Sequence, residues 1–416
     1  MTYTMKDIKG RVVYDSRGDK TVEVEVNIDG QIGQAAAPSG KSRGVREAEP
    51  FPMGGPEAAV ETLRREIAPK LIGMVVENYE TVDKTLAELD GTWNFSRIGG
   101  NTALAISIAT AIAISKVKRL PLYAYLAATS KNEPALPLPL GNVIGGGKHA
   151  GPGAPEIQEF LVIPRNPNTI YDAVMANIRV HKTVGRLLEE KISNYPLGKG
   201  DEGAYAPPIS VEAALEVLYE ATKKVEDELN VKMSIGIDVA GTNIYNPNSD
   251  KYVLASAGLY LDNEGFLQYL AELADKYEII YIEDPFREDD YESFRNLSRV
   301  LPKTYVCGDD LVVTRAELIS KAASIGAIRA AIIKPNQVGT LSLTWDAVKT
   351  GKDHNLLLIA SHRSGETTDH YLPHIAVGFG CKVIKAGIMG GERIAKANEL
   401  LRMGEQISKV QRLMND

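Results

Sequence analysis

Six short apolar runs in the later part of the chain each end in a side chain able to hold a cation, a proton or an anion. In order these are Asp238, Glu283, Asp309, Lys334, the group Ser361-His362-Arg363-Ser364, and Lys385. Three carboxylates from successive runs repel one another unless a cation lies between them. Hard oxygen ligands without Cys or His select Mg2+ or Mn2+ over zinc. Each acid alone is as readily a helix cap or the partner of a nearby base; three in succession favour the metal.

A lysine desolvated beside other cations has a lowered pKa and can act as a general base. Lys334, delivered directly from Ala331-Ile332-Ile333, is the better candidate, while either lysine can instead neutralise the acids. Arg363 offers paired donors suited to phosphate or carboxylate. A helix expected to begin near Thr367 would add main-chain donors to that anion site. Gly200-Asp-Glu-Gly203 is a sharp polar turn that projects Glu202 inward, and Gln158-Glu159 opens another apolar run. The glycine-rich stretch 145–151, which carries His149, reads as a mobile loop over the site or as an ordinary exposed turn. It lacks the GK[ST] of a phosphate-binding loop. A divalent cation, a lysine base and separate carboxylic acids suit removal of a carbon-bound proton beside a carboxylate, followed by protonation of a leaving hydroxyl. The overall reaction is a dehydration.

The elements that must position these groups are strands at 234–237, 279–282, 305–307, 331–333, 356–360 and 381–384, each leading into a helical segment. A hairpin is expected within the first interval, at 245–261. This alternation means parallel βα units. An open sheet would spread the strand ends along an edge, whereas an α/β barrel gathers them at one mouth, so the barrel is expected. Ahead of it, residues 21–28 alternate apolar and acidic as a half-wet strand does, and helices are expected at 57–71, 81–89 and 101–118. The Pro-rich stretch 133–140 reads as a connector, dividing the chain into domains 1–135 and 136–416. A chain of 416 residues fits two domains.

Lys and Arg number 47 against 54 Asp and Glu, a net charge of −7, which argues against nucleic-acid or acidic-membrane partners and leaves a small anionic substrate open. The start lacks a signal-like apolar segment, and 103–117, broken by Ser and Thr, reads as a buried helix too short for a bilayer. Cys307 and Cys381 lie in apolar stretches and read as buried free thiols. The chain is expected to be cytoplasmic.

Over nearly its whole length the sequence resembles the enolase family, as a divergent member. The resemblance is carried by Asp15-Ser-Arg-Gly18, Thr21-Val-Glu-Val-Glu25, Pro38-Ser-Gly40, Gly200-Asp-Glu-Gly203, Ile282-Glu-Asp-Pro-Phe286, Gly308-Asp-Asp-Leu311, Asn336-Gln-Val-Gly-Thr-Leu341, Ser361-His-Arg-Ser-Gly-Glu-Thr367 and Glu392-Arg-Ile-Ala-Lys396. It implies an enolase-type (β/α)8 barrel, opening with an irregular strand and helix order, behind a smaller N-terminal α+β capping domain. It implies Mg2+-dependent interconversion of 2-phosphoglycerate and phosphoenolpyruvate. Lys334 would be the base, Glu202 aided by Glu159 the acid, and His362 part of the catalytic set lining the pocket with His149 and Gln158. Asp238, Glu283 and Asp309 would hold one Mg2+, and a second, arriving with substrate, would be capped by Ser42. Arg363 and Ser364 would bind the phosphate, Lys385 the substrate carboxylate. A homodimer or higher homo-oligomer in glycolysis is implied as well.

Departures cluster in the loops. The family's early loop usually reads PSGASTG; here Pro38-Ser-Gly-Lys-Ser-Arg-Gly44 brings in Lys41 and Arg43, which would either repel the second metal or add phosphate contacts. The His149 loop carries extra proline, and Asn336 stands where valine is usual. A relative acting on another acidic hydroxy-acid, or a non-catalytic protein on the same fold, are the alternatives.

Overall fold

The computed structural model describes residues 2–41 and 43–413. The chain opens as an antiparallel sheet in which β1 (Tyr3–Tyr14) pairs with β2 (Lys20–Ile28), and β2 with β3 (Gln31–Ala36). The alternation in β2 works as expected: Val22, Val24, Val26 and Ile28 are buried, while Glu23 and Glu25 meet Arg11 at 2.7 and 3.2 Å. The helix expected over 57–71 forms as α1 (Gly55–Thr62) and α2 (Ala68–Leu71), joined by a π-helical turn at Leu63–Ile67. Then follow β4 (Val75–Val76), which pairs with β1, and the helices α3 (Tyr79–Asp90), α4 (Gly100–Val117) and α5 (Leu122–Ser130).

Helix α4 is apolar on nearly every face, because β2 and β3 cover one side and α3 and α5 the others. At 18 residues it is as long as the helix expected at 101–118, begins one residue earlier, and exceeds the apolar stretch 103–117; by length and composition it could cross a membrane, but 83% of it is buried inside the protein. It approaches the sheet closely at Gly33, where an added Cβ would overlap the Ala109 carbonyl and lie 2.7 Å from the Ala113 nitrogen.

The barrel begins with β5 (Leu138–Gly145), inside the stretch that read as a Pro-rich connector. Two prolines are tolerated there for a local reason. Leu138 N–H donates to Lys382 O at 3.0 Å, and pairing with the next strand starts only at Gly141, so the missing donor of Pro139 removes no ladder bond. Next come β6 (Glu159–Pro164), α6 (Ile170–Lys191), α7 (Val211–Leu229), β7 (Met233–Asp238) and the short α8 (Gly241–Ile244). The expected hairpin is a small sheet of β8 (Tyr245–Asn246), β9 (Lys251–Leu254) and β10 (Leu259–Leu261). The remaining units are α9 (Asn263–Lys276), β11 (Ile279–Glu283), α10 (Tyr291–Val300), β12 (Tyr305–Gly308), α11 (Ala316–Ser324) and β13 (Ala330–Ile333). They end with α12 (Leu341–Asp353), β14 (Leu357–Ser361), α13 (Tyr371–Phe379), β15 (Val383–Lys385) and α14 (Gly391–Gly404).

Among the described residues these strands close in the order β11-β12-β13-β14-β15-β5-β6-β7. One departs from a purely parallel barrel: β6 runs antiparallel to both neighbours, and two helices in succession return the chain to β7. The barrel floor is packed by Leu140, Leu161, Ile332 and Ile359, with Cys307 among them as a buried free thiol; Cys381 is buried and free as well.

Gly33→Ala should separate α4 from the sheet. Overpacking of this kind costs about 1–3 kcal/mol, which urea unfolding would read as a lower midpoint at unchanged slope. An unchanged midpoint would mean that the close approach is not needed.

Candidate active site

The barrel places the candidate groups by register. Asp238 and Glu283 close β7 and β11 and are paired across the ladder, while Asp309 and Lys334 follow β12 and β13. Ser361 closes β14 beside Lys385 at the end of β15. Because β6 runs the other way, its first residue, Glu159, lies at this same rim opposite Asp238, with Gln158 one residue before it. His149, Gln158, Glu159, Glu202, Asp238, Asp309, Lys334, His362, Arg363, Ser364 and Lys385 all line one cleft. Glu283 lies at its base, fully buried. Ser42 lies outside the described residues.

Charge at the base of the cleft is unbalanced. The Lys385 ammonium contacts Asp238 Oδ2 at 3.0 Å, Glu283 Oε2 at 2.7 Å and Glu159 Oε2 at 3.0 Å, and Lys334 is ion-paired with Asp309. Four carboxylates against two ammonium groups leave two negative charges in a buried site. The imbalance shows in the acids themselves. Burial, reinforced by Asp238, pushes Glu283 up to about 7, and burial raises Asp238 as well, against the pull of Lys385. Glu283 Oε1 is buried without a hydrogen-bond partner. A site made of oxygen donors, short by two positive charges and holding an unsatisfied carboxylate oxygen, fits a divalent cation such as Mg2+. Asp284 is a weaker ligand candidate although it lies near Asp309 and Asp310. Its two oxygens accept the main-chain N–H groups of Asp309 and Asp310 at 3.0 and 2.7 Å, fixing the turn that aims Asp309.

Joined to these groups through Glu159 is a cluster of acids and imidazoles. His149 Nδ1 is 3.2 Å from Glu159 Oε1 and 3.8 Å from Glu202 Oε1, and His362 Nε2 is 3.4 Å from that same Glu202 oxygen. Asn142 donates to Glu202 Oε2 at 3.1 Å. Burial opposes charge on His149, but Glu202 and Glu159 outweigh it and raise its pKa. Burial would raise Glu202, yet His362 and His149 hold it well below the usual carboxylate range. Burial lowers His362. Arg393 donates to His362 Nδ1 at 2.7 Å. An arginine can only donate, so Nδ1 accepts and Nε2 carries the hydrogen that faces Glu202.

The glycine-rich loop brings His149 into the cleft, as one of its two readings had it, and His149 is buried on a short 3-10 turn, Gly147–His149. At Gly146 the glycine serves close packing, because a Cβ there would overlap the Pro155 and Ile157 carbonyls. The helix expected near Thr367 begins instead at Tyr371, because the chain first pairs Gly365 with Ser39 through two main-chain hydrogen bonds of 2.8 Å. No helix N-terminus among the described residues therefore starts at Thr367 to serve an anion there. Arg363 is buried and meets Glu47 at 2.9 and 3.2 Å, and also donates to Asn336 Oδ1 at 2.9 Å. The asparagine in place of valine thus has a defined partner.

Three supporting residues were not legible in the sequence. Gln337 donates to Asp309 Oδ1 at 2.9 Å and accepts from Thr314 at 2.6 Å. Tyr281 donates to Glu283 Oε2 at 2.6 Å. Arg393, fully buried on α14, donates to the carbonyls of Arg363 and Ser364 at 2.7 and 2.6 Å, and so clamps the segment that carries the anion-binding groups. Only the position of Arg393 on a helix face with Lys396, which pairs with Glu366 at 2.7 Å, hinted at such a role.

A barrel mouth with a carboxylate metal site, a buried lysine and a separate acid–imidazole cluster defines a metal-assisted lyase of the proton-abstracting class. Comparison with known proteins narrows the class to a family. The description "Enolase, C-terminal TIM barrel domain" matches residues 133–414, and "Enolase, N-terminal domain" matches residues 5–126. The chain is 47% identical to the enolase of Archaeoglobus fulgidus over 413 residues, 99% of each chain, and 44% identical to that of Pyrobaculum aerophilum over 405 residues, 96% of each. The enolase of Methanosphaera stadtmanae is 43% identical over 408 residues, 98% of each chain. The chain belongs to the enolase family. Its activity is that of a hydro-lyase, a phosphopyruvate hydratase. The family is Mg2+-dependent, acts on a phosphorylated substrate and is generally oligomeric.

The raised acids set a pH dependence for metal binding. A carboxyl whose pKa rises on folding stabilises the fold while protonated, and loses that contribution as pH rises from its ordinary value through about 7 for Glu283. Mg2+ competes with that proton and relieves the burden above it. The increase in Tm with Mg2+ over EDTA should therefore be larger at pH 8 than at pH 6. An equal or larger increase at pH 6 would contradict these carboxylates as the ligands.

Proposed function

We propose that this chain interconverts 2-phosphoglycerate and phosphoenolpyruvate at the barrel mouth, with Lys334 as the base and Glu202 as the acid. The observation that supports this most is the gathering of two devices in one cleft: ammonium groups with metal-type carboxylates, and acids paired with imidazoles, joined through Glu159, which contacts both Lys385 and His149. Asp238, Glu283 and Asp309 would hold Mg2+, which would supply positive charge against the negative charge that develops on the substrate carboxylate.

Lys334 then removes the proton at C2. Burial opposes its charge, while Asp309 holds its pKa high in the metal-free protein. With Asp309 engaged elsewhere, burial together with the neighbouring Arg363 and Lys385 pushes in the direction that a base needs. Glu202 is a carboxylate in the free protein, so the proton is stored on His149, whose pKa its two acid neighbours raise; it passes to Glu202, which, aided by Glu159, delivers it to the departing C3 hydroxyl. His362 fixes Glu202 through Nε2–H. Arg363 and Ser364 receive the phosphate, Lys385 the substrate carboxylate, and Gln158 completes the wall.

The same reading has a second Mg2+ arriving with substrate at Ser42, a division into domains 1–135 and 136–416, a homodimer or higher homo-oligomer, and a glycolytic role in the cytoplasm. The division is supported by the construction of sheet and barrel from separate stretches of chain, and the compartment by two free thiols.

Ultraviolet detection of phosphoenolpyruvate from 2-phosphoglycerate, with Mg2+ and with EDTA, tests the proposal. Turnover sensitive to EDTA is expected, and Lys334→Ala should lower kcat by at least about a thousandfold, the scale of a positioned acid–base group, while Mg2+ still raises Tm. A folded, metal-binding wild type without turnover would shift the substrate to another acidic hydroxy-acid.

A further inference from the structure

The cations around the mouth differ in how easily they can be turned toward a new anion. Lys385 contacts three buried carboxylates, and Lys334 is paired with Asp309. Arg363 is only 5% exposed and is paired twice with Glu47; turning it away would strand a buried carboxylate. Lys41 lines the same cleft but is held differently. Its ammonium meets Asp201 Oδ2 at 3.1 Å, in a pair whose side chains are 41% and 22% exposed. The lysine side of the pair is open to solvent, so its ammonium can swing on its long stem toward another anion, although the Asp201 oxygen that it leaves is buried.

The main chain holds Lys41 where this exchange would matter. Its N–H donates to Ser364 Oγ at 2.7 Å, and Arg17 donates to that oxygen at 3.1 Å. A hydroxyl has two lone pairs and one hydrogen. With both lone pairs engaged, the Ser364 hydrogen is left as a donor, on a side chain that faces the cleft beside Arg363. One corner of the cleft thus gathers an ammonium on a long flexible stem, a hydroxyl donor and a guanidinium. Arg43, the other cation that this loop introduces, points elsewhere: it pairs with Glu49 at 2.6 Å and donates to Ala48 O at 3.1 Å.

We propose that Lys41 is a phosphate-recognising residue of this substrate site. On binding, its ammonium leaves Asp201 and takes the phosphate dianion alongside Arg363 and Ser364. The phosphate charge is then met without dismantling the buried Arg363–Glu47 pair, and Asp201, next to the acid Glu202, is released as substrate seats. The inference rests on the proposed hydro-lyase reaction and deepens it.

Two variants separate recognition from a simple loop latch. A latch that only ties the early loop to the Glu202 turn fails equally when either partner is lost. A phosphate ligand gives an asymmetric result. Lys41→Met should raise KM for 2-phosphoglycerate about tenfold or more with kcat within about threefold, while Asp201→Asn leaves KM unchanged or lowers it. Calorimetric titration with inorganic phosphate, run on the wild type and both variants with Mg2+ present, should show the same order of affinities. Because phosphate binding needs no turnover, it reads Lys41 even if wild-type protein proves inactive on 2-phosphoglycerate, which would sink the substrate assignment separately. Equal losses in both variants, or an unchanged KM and phosphate affinity in Lys41→Met, would overturn the proposal.

Discussion

Two uncompensated negative charges at the base of the barrel mouth constrain almost everything around them. Like charges buried together are tolerated only with a cation among them or with some of the acids protonated. Lys385, reaching Asp238, Glu283 and Glu159 at once, partly meets that need, and the raised pKa of Glu283 records how incompletely. A divalent cation completes the balance. The same deficit makes Lys334 versatile: beside an unengaged Asp309 it is a held cation, and once a cation engages both Asp309 and Glu283, which raise its pKa, burial with Arg363 and Lys385 favours the amine.

Supporting structure is arranged to keep that balance in place. Reversing β6 replaces two parallel ladders of the barrel with antiparallel ones, and it brings Gln158 and Glu159 to the rim at the start of a strand, where backbone pairing with Asp238 fixes Glu159. Gln337 and Tyr281 hold Asp309 and Glu283 by single hydrogen bonds from buried positions. Arg393 does the same for the segment 362–364 through its carbonyls and through the His362 ring. Gln337, Tyr281 and Arg393 sit behind the cleft wall, outside its lining. They remove rotameric freedom from groups that must keep their geometry to within tenths of an ångström.

Much of this was legible because period and position carry the information. Apolar runs ending in Asp238, Glu283, Asp309, Lys334 and Lys385 revealed both the barrel and its mouth, since only a closed sheet brings such ends together. Strand β5 was hidden by Pro137 and Pro139, whose breaking signal is harmless where no neighbour waits for an N–H. The glycine-rich loop was only half legible: its composition placed His149 over the site, but glycine signals freedom and close packing alike, and Gly146 is used for packing. Tertiary pairing of Gly365 with Ser39 delayed α13 beyond Thr367, and no local pattern encodes a partner more than three hundred residues away. Gln337, Tyr281 and Arg393 were missed because a hydrogen bond to a functional group leaves no trace in spacing.

Central to the proposed mechanism is that proton removal and proton delivery are assigned to separate groups, Lys334 and Glu202, which line one cleft. Exchange of the C2 hydrogen of 2-phosphoglycerate with deuterated solvent, followed by NMR in Glu202→Gln and Lys334→Ala, tests it directly. Glu202→Gln, with Mg2+, is expected still to exchange the C2 hydrogen while forming almost no phosphoenolpyruvate, and Lys334→Ala to do neither. Exchange persisting in Lys334→Ala, or lost in Glu202→Gln while that variant still binds Mg2+ and substrate, would contradict it.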